Sequence, residues 1–165
     1  MHVMRIGAAA AVATLVSFGA QAQALQLVEK IGDWNLYFSE ALGNSCLAER
    51  MDAEGRQFEV GVDRKRQLAF AGLFAKTDAG MTNDKMVPVS FQLGDTTFTG
   101  EATQYSMEGT QGGFIYFNNL DFAYELAKQE ELIINRADGE KVTVSLAGSA
   151  KAIDAVIACQ IATAQ

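Results

Sequence analysis

The groups in this chain whose types could do chemistry are two cysteines, twenty carboxylates and a serine- and lysine-bearing run near the C-terminus. What is missing from that set decides more than what is present. The one histidine, His2, lies in a segment expected to be cleaved, which removes Ser-His-Asp and Cys-His catalysis, imidazole base chemistry and almost every transition-metal site. Asp33, Glu40, Glu49, Asp52, Glu54, Glu59, Asp63, Asp121, Glu125, Glu130, Glu131 and Asp154 can supply the paired acids of a hydrolase, but their spacing selects no pair. Ser145 to Lys151 reads as a strand end followed by a helix cap rather than a Ser-Lys nucleophile. The glycine run Gly109-Thr110-Gln111-Gly112-Gly113 precedes a strand, whereas a phosphate loop follows a strand and opens a helix, so a hairpin turn is expected there. Residues 76–85 lack the regular oxygen-ligand spacing of a calcium loop. The expectation is a protein without catalytic residues, metal or cofactor.

Cys46 and Cys159 are therefore read as structural. In an oxidising compartment two cysteines favour a disulfide, and the absence of a Cys-x-x-Cys motif argues against a redox pair. Joining them closes a loop of about 114 residues, worth about 4 to 5 kcal/mol in the chain-entropy account. Tyr105, Tyr116 and Tyr124, with Phe117 and Phe122, are candidates for a binding surface, because amphipathic aromatics are favoured at interfaces. The competing reading places these rings in the core with one tyrosine partly exposed.

The elements that must position these groups begin after a targeting segment. Arg5, the uncharged run Ile6 to Gly19 and the small-x-small sequence Ala20-Gln21-Ala22 form a signal-peptide pattern, with cleavage after Ala22 or Ala24. The apolar run is shorter than a membrane span needs. A single β-rich domain over 25–165 is expected, periplasmic or secreted. The chain carries a formal charge of -7, and its basic residues gather only at Arg64-Lys65-Arg66, so attraction to nucleic acid or anionic lipid is not expected.

Leu25 to Lys30 reads as a lead-in, and Trp34 to Phe38 as a strand returning through Ser45 to Met51. Phe58, Val60 and Val62 alternate with Glu59, Gly61 and Asp63 in the cleanest period-two segment, and Gln67 to Phe74 follows as a more buried strand. Val87 to Leu93 alternates, its Pro88 suggesting an edge or strand start. Thr96 to Ala102 and Gln104 to Glu108 read as two strands, followed by Gly113 to Phe117. A helix capped by Asn119 is expected through about Lys128. Two strands then flank the Asp138-Gly139 turn. A final helix capped by Ser149 should turn Ile153, Val156, Ile157 and Ile161 to the core. The whole reads as mainly β: an antiparallel β-sandwich or open barrel of about eight to ten short strands with two short helices, the last at the C-terminus.

Several of these segments resemble the invasion-associated locus B family of small exported bacterial proteins: Gly32-Asp33-Trp34, Leu126-Ala127-Lys128 through Leu132-Ile133-Ile134, Gly139, Val142 to Gly148 and Ala152-Ile153-Asp154. The chain departs from that family where Leu36, Tyr37 and Phe38 stand in place of a cysteine. The resemblance implies a β-rich periplasmic or envelope protein without enzymatic residues. The expected function is binding of an unknown protein or cell-envelope component, the alternatives being a carboxylate-based hydrolase or a carrier of small apolar ligands.

Overall fold

Alternating β-branched and aromatic residues draw most of the chain into strands. The computed structural model describes residues 25–40, 42–63, 66–77, 80–107 and 109–163. The expected signal segment, Arg64 and Lys65 of the basic turn, Asp78 and Glu108 lie outside the described residues. Among the described residues ten strands occur: β1 (Gln26–Ile31), β2 (Trp34–Ser39), β3 (Ser45–Met51), β4 (Gln57–Asp63), β5 (Leu68–Ala75), β6 (Met86–Leu93), β7 (Thr96–Met107), β8 (Thr110–Phe117), β9 (Glu131–Arg136) and β10 (Lys141–Ser145). Helix α1 (Asp121–Leu126) follows β8 and α2 (Ser149–Thr163) closes the chain.

All pairings are antiparallel and form one unclosed sheet in the order β1-β2-β3-β4-β5-β8-β7-β6-β9-β10. The expected mainly β, antiparallel architecture is thus built from one continuous, unclosed sheet. Its inner face carries Trp34, Phe58, Val60, Ala69, Ile115 and Val144, all buried. Helix α1 adds Phe122 to a ring cluster with Phe91, Phe98 and Phe117; Phe122 stacks on Phe117 with centroids 4.1 Å apart and meets Phe98 edge-on at 5.3 Å.

Side chains of β2 and β3 reach the edge of the sheet formed by β10. Trp34 Nε1 and Arg50 Nη1 both donate to the carbonyl of Ala147, just past β10, at 2.9 Å. Helix α2 packs against β2, β3 and β4, and the Cys46–Cys159 disulfide fastens it to β3. Gln160 repeats the tie through hydrogen bonds, accepting from Cys46 N at 2.9 Å and donating to Asn44 O at 3.2 Å.

Several local expectations are corrected. The lead-in is strand β1, because its backbone pairs with β2 despite side chains that are nearly all exposed. One twelve-residue strand, β7, replaces the two expected over 96–108, since Thr103, between them, pairs with Met86 on one side and Phe114 on the other. Gly112 and Gly113 lie inside β8, and the turn falls at Gly109. Strand β6 is internal, yet its pairing with β9 begins only at Val89, so Pro88 withholds no donor from that ladder. Asn119 does not cap α1 by a side-chain bond at its N-cap position, which is Leu120; its Oδ1 accepts from Asp121 N at 3.1 Å in an Asx turn, and the helix ends at Leu126. Ser149 is helical, and its Oγ donates to Leu126 O at 3.1 Å, joining α2 to α1. Ile161 is 53% exposed although the neighbouring Cys159 and Gln160 are tied to β3, so it lies on the solvent side of α2.

Candidate functional site

Alternation along β5, β7 and β8 turns Phe70, Phe74, Tyr105, Phe114 and Tyr116 away from the core. Tyr105 lies opposite Gly112, diagonally across the ladder from Phe114, and the two rings stack at 4.9 Å with only 8° between planes. Tyr116 meets Phe114 edge-on at 5.2 Å and Phe70 at 5.9 Å. Glycines let these rings lie down on the sheet. A Cβ at Gly61 would collide with the Phe70 ring, and one at Gly72 would press on Phe74. The resulting outer face is aromatic and open to solvent, with Tyr116 54% exposed.

The same face carries a carboxylate pair. Asn35, Glu49, Glu59, Gly72 and Phe114 form one row across five strands, so the bare Gly72 separates the acids from the aromatic cluster. Glu49 is 9% exposed. Gln57 Nε2 donates to Glu49 Oε2 at 2.9 Å and to Glu59 Oε1 at 2.6 Å. Burial pushes both carboxyls above the ordinary glutamate pKa; the charge of Glu49 adds to the rise at Glu59, while hydrogen bonds from Asn35 to Glu49 and from Gln57 to Glu59 oppose it. The pair sits on the surface of two neighbouring strands under one amide, not on opposite walls of a cleft that would hold a glycosidic or acyl substrate.

Of the sequence-derived candidates, Tyr105 and Tyr116 come together on this face. Tyr124 does not join them: it is 42% exposed on α1, whose Phe122, Ala123 and Leu126 face the core. Phe117 belongs to that core as well. Cys46 and Cys159 are bonded to each other, with Cα atoms 6.1 Å apart.

A cleft of about 690 Å³ opens on the inner face. Its floor is apolar, supplied by Leu73, Val89, Ala102, Ile115, Ile134 and Val142 from six different strands. Arg56, Arg136, Asp138 and Glu140 line it as well, so two hairpin turns distant in sequence meet at its mouth. Arg56 is held by Asp52 at 2.6 Å and Glu54 at 3.1 Å, and Arg136 by Asp138 at 3.0 Å and by Glu140. Burial alone would raise the Asp52 pKa, but the Arg56 guanidinium and backbone N–H donors outweigh it and hold the carboxyl below its ordinary value. Arg56 also reaches Thr143 O on β10 at 3.5 Å, linking the β3–β4 turn to that edge strand. Among the described residues no group of three or more His, Cys, Asp or Glu is placed to hold a metal ion.

With this geometry in view, one solved structure is informative. The crystal structure of invasion associated protein B from Bartonella henselae matches with a TM-score of 0.57 and 17% identity, covering 82% of this chain and 99% of that one. The two proteins share a fold. No family model matches the chain, and no curated protein matches it in sequence. Among the described residues no helix is long and apolar enough to cross a membrane.

The carboxylate pair escaped the sequence reading although a signal for it existed. Glu49 and Glu59 are equidistant from Glu54, in the middle of the β3–β4 turn, and fixing that turn fixes the pair. Asp52 does so, its Oδ1 accepting from Glu54 N at 3.0 Å and Arg56 N at 2.8 Å. The cleft had no local signal, because its mouth exists only once the sheet has curled.

Proposed function

We propose that this is a non-enzymatic exported protein of the periplasm or cell envelope that acts by binding a partner protein or envelope component through the aromatic face of β5, β7 and β8. The observation that carries this reading is the contiguous ring cluster of Phe70, Tyr105, Phe114 and Tyr116 on the solvent side of the sheet. Core packing does not require those rings, and exposed aromatic clusters flanked by polar groups are characteristic of interaction surfaces. The signal-peptide pattern and the Cys46–Cys159 disulfide support export. The fold shared with an invasion-associated protein fits such a role; no residue here carries a host-cell activity, and none is transferred. Affinity capture from envelope extracts tests the reading. The unmodified protein and Tyr124→Ser should retain the same partner, and Tyr105→Ser/Tyr116→Ser should lose it by about tenfold or more, as for aromatic anchors. Equal capture by all three would overturn it.

A second reading rests on a separate observation. The inner cleft, apolar at its floor and within the roughly 300–1,000 Å³ of small-molecule sites, suits a carrier of a small apolar ligand.

A further inference from the structure

We infer that the inner cleft selects amphipathic molecules whose polar end is cationic, excluding fatty-acid-like anions. The inference deepens the carrier reading and rests on it. Apolar side chains from six strands, β5 to β10, build the floor and provide for a hydrocarbon body. The mouth decides the head group. Two guanidiniums there would ordinarily attract an anion, but each already carries two carboxylates: Asp52 and Glu54 on Arg56, Asp138 and Glu140 on Arg136. Four negative charges therefore surround two positive ones. An incoming carboxylate would have to displace an ion pair that is already made, against a net negative field. An ammonium group needs no such exchange. Asp138 and Glu140 are 53% and 57% exposed on their side chains; Asp138 spends Oδ1 on Glu140 N at 3.0 Å and Oδ2 on Arg136, but both carboxylates keep solvent-facing surface, and their charge attracts the ammonium without any bond being broken. Lys141, next in sequence, does not offset them, because Val142 takes the inward position on β10 and Lys141 is exposed on the other side. Since the mouth is open to water, the selectivity should be moderate and should fade with salt.

Three twelve-carbon probes of equal tail and different head separate the possibilities: dodecyltrimethylammonium, dodecanol and dodecanoate, each below its aggregation concentration, measured by calorimetry and native mass spectrometry at low ionic strength. The cationic probe should bind about fivefold more tightly than the alcohol and more than tenfold more tightly than the carboxylate, with both ratios shrinking as salt screens the mouth. The variant Asp138→Asn/Glu140→Gln changes exposed side chains and leaves the floor intact; it should lose the cationic preference and gain affinity for dodecanoate, because Arg136 is then unpaired. Val87→Trp, at the cleft wall, should weaken all three probes together. Binding of all three with equal affinity, or unchanged selectivity in the double variant, overturns the charge inference and leaves the carrier reading standing. Failure of every probe to bind the unmodified protein overturns both.

Discussion

Glu49 and Glu59 stand directly opposite each other on β3 and β4, with the Gln57 amide between them. Both have pKa values raised by burial, so each favours its protonated form in the folded state. Their contribution to stability is fully present below the ordinary glutamate pKa and is lost as pH rises through the folded value. Replacing Glu59 by Gln removes the like-charge contact while keeping an acceptor for Gln57. The variant should be more stable than the parent at pH 7 by about 1 kcal/mol, or about 3 °C in melting temperature, and nearly equal to it at pH 4. Melting curves at the two pH values check this; an unchanged Tm at pH 7 would refute it. Phe122 marks the opposite case, a fully buried ring meeting Phe91, Phe98 and Phe117. Phe122→Ala should cost about 3 to 5 kcal/mol in denaturant unfolding. Residue types announced the apolar character of these rings but not their destinations. Phe117 and Phe122 went to the core, whereas Tyr105 and Tyr116 went outward, because strand register for the three on strands and helix face for Phe122, not ring chemistry, decide the side.

Helix α2 acts as a clasp. It brings Cys159 to Cys46 and Gln160 to the backbone of Asn44 and Cys46, while its first residue holds Leu126 of α1. Cys159→Ser should lower stability by about 4 kcal/mol, since the bridge closes most of the chain, and reduction of the unmodified protein should reproduce that loss. Gln160→Ala should cost about 1 kcal/mol for its two backbone hydrogen bonds. Chemical denaturation checks both, and an additive double variant would show that the two ties act independently. The disulfide was legible in the sequence, because two cysteines in an expected export context leave few pairings. The caps were not: Asn119 and Ser149 are good cap formers by type, yet both spend their side chains on tertiary or turn contacts. Strand β1 was equally obscure, as its exposed side chains give no alternation and only pairing with β2 makes it a strand.

At the scale of the molecule, one sheet provides two unlike surfaces. The inner face encloses the core and leaves a cleft where the β3–β4 and β9–β10 turns meet. The outer face presents the aromatic cluster beside the carboxylate row. Mainly antiparallel β structure followed from the run of period-two segments, but the order of strands did not. The β6–β7–β8 meander enters the sheet reversed, β8 beside β5, and that choice rests on long-range packing rather than on any local signal. It is also what brings Phe70 of β5 against Tyr116 of β8. The function we propose thus lies on a face that no single segment announces. Site-specific photo-crosslinking in intact cells tests this assignment most directly, with a photoreactive side chain at position 116 on the outer face or at position 154 on exposed α2. One discrete adduct is expected from position 116 and none from position 154. Adducts of the same partner from both positions, or from position 154 alone, would contradict it.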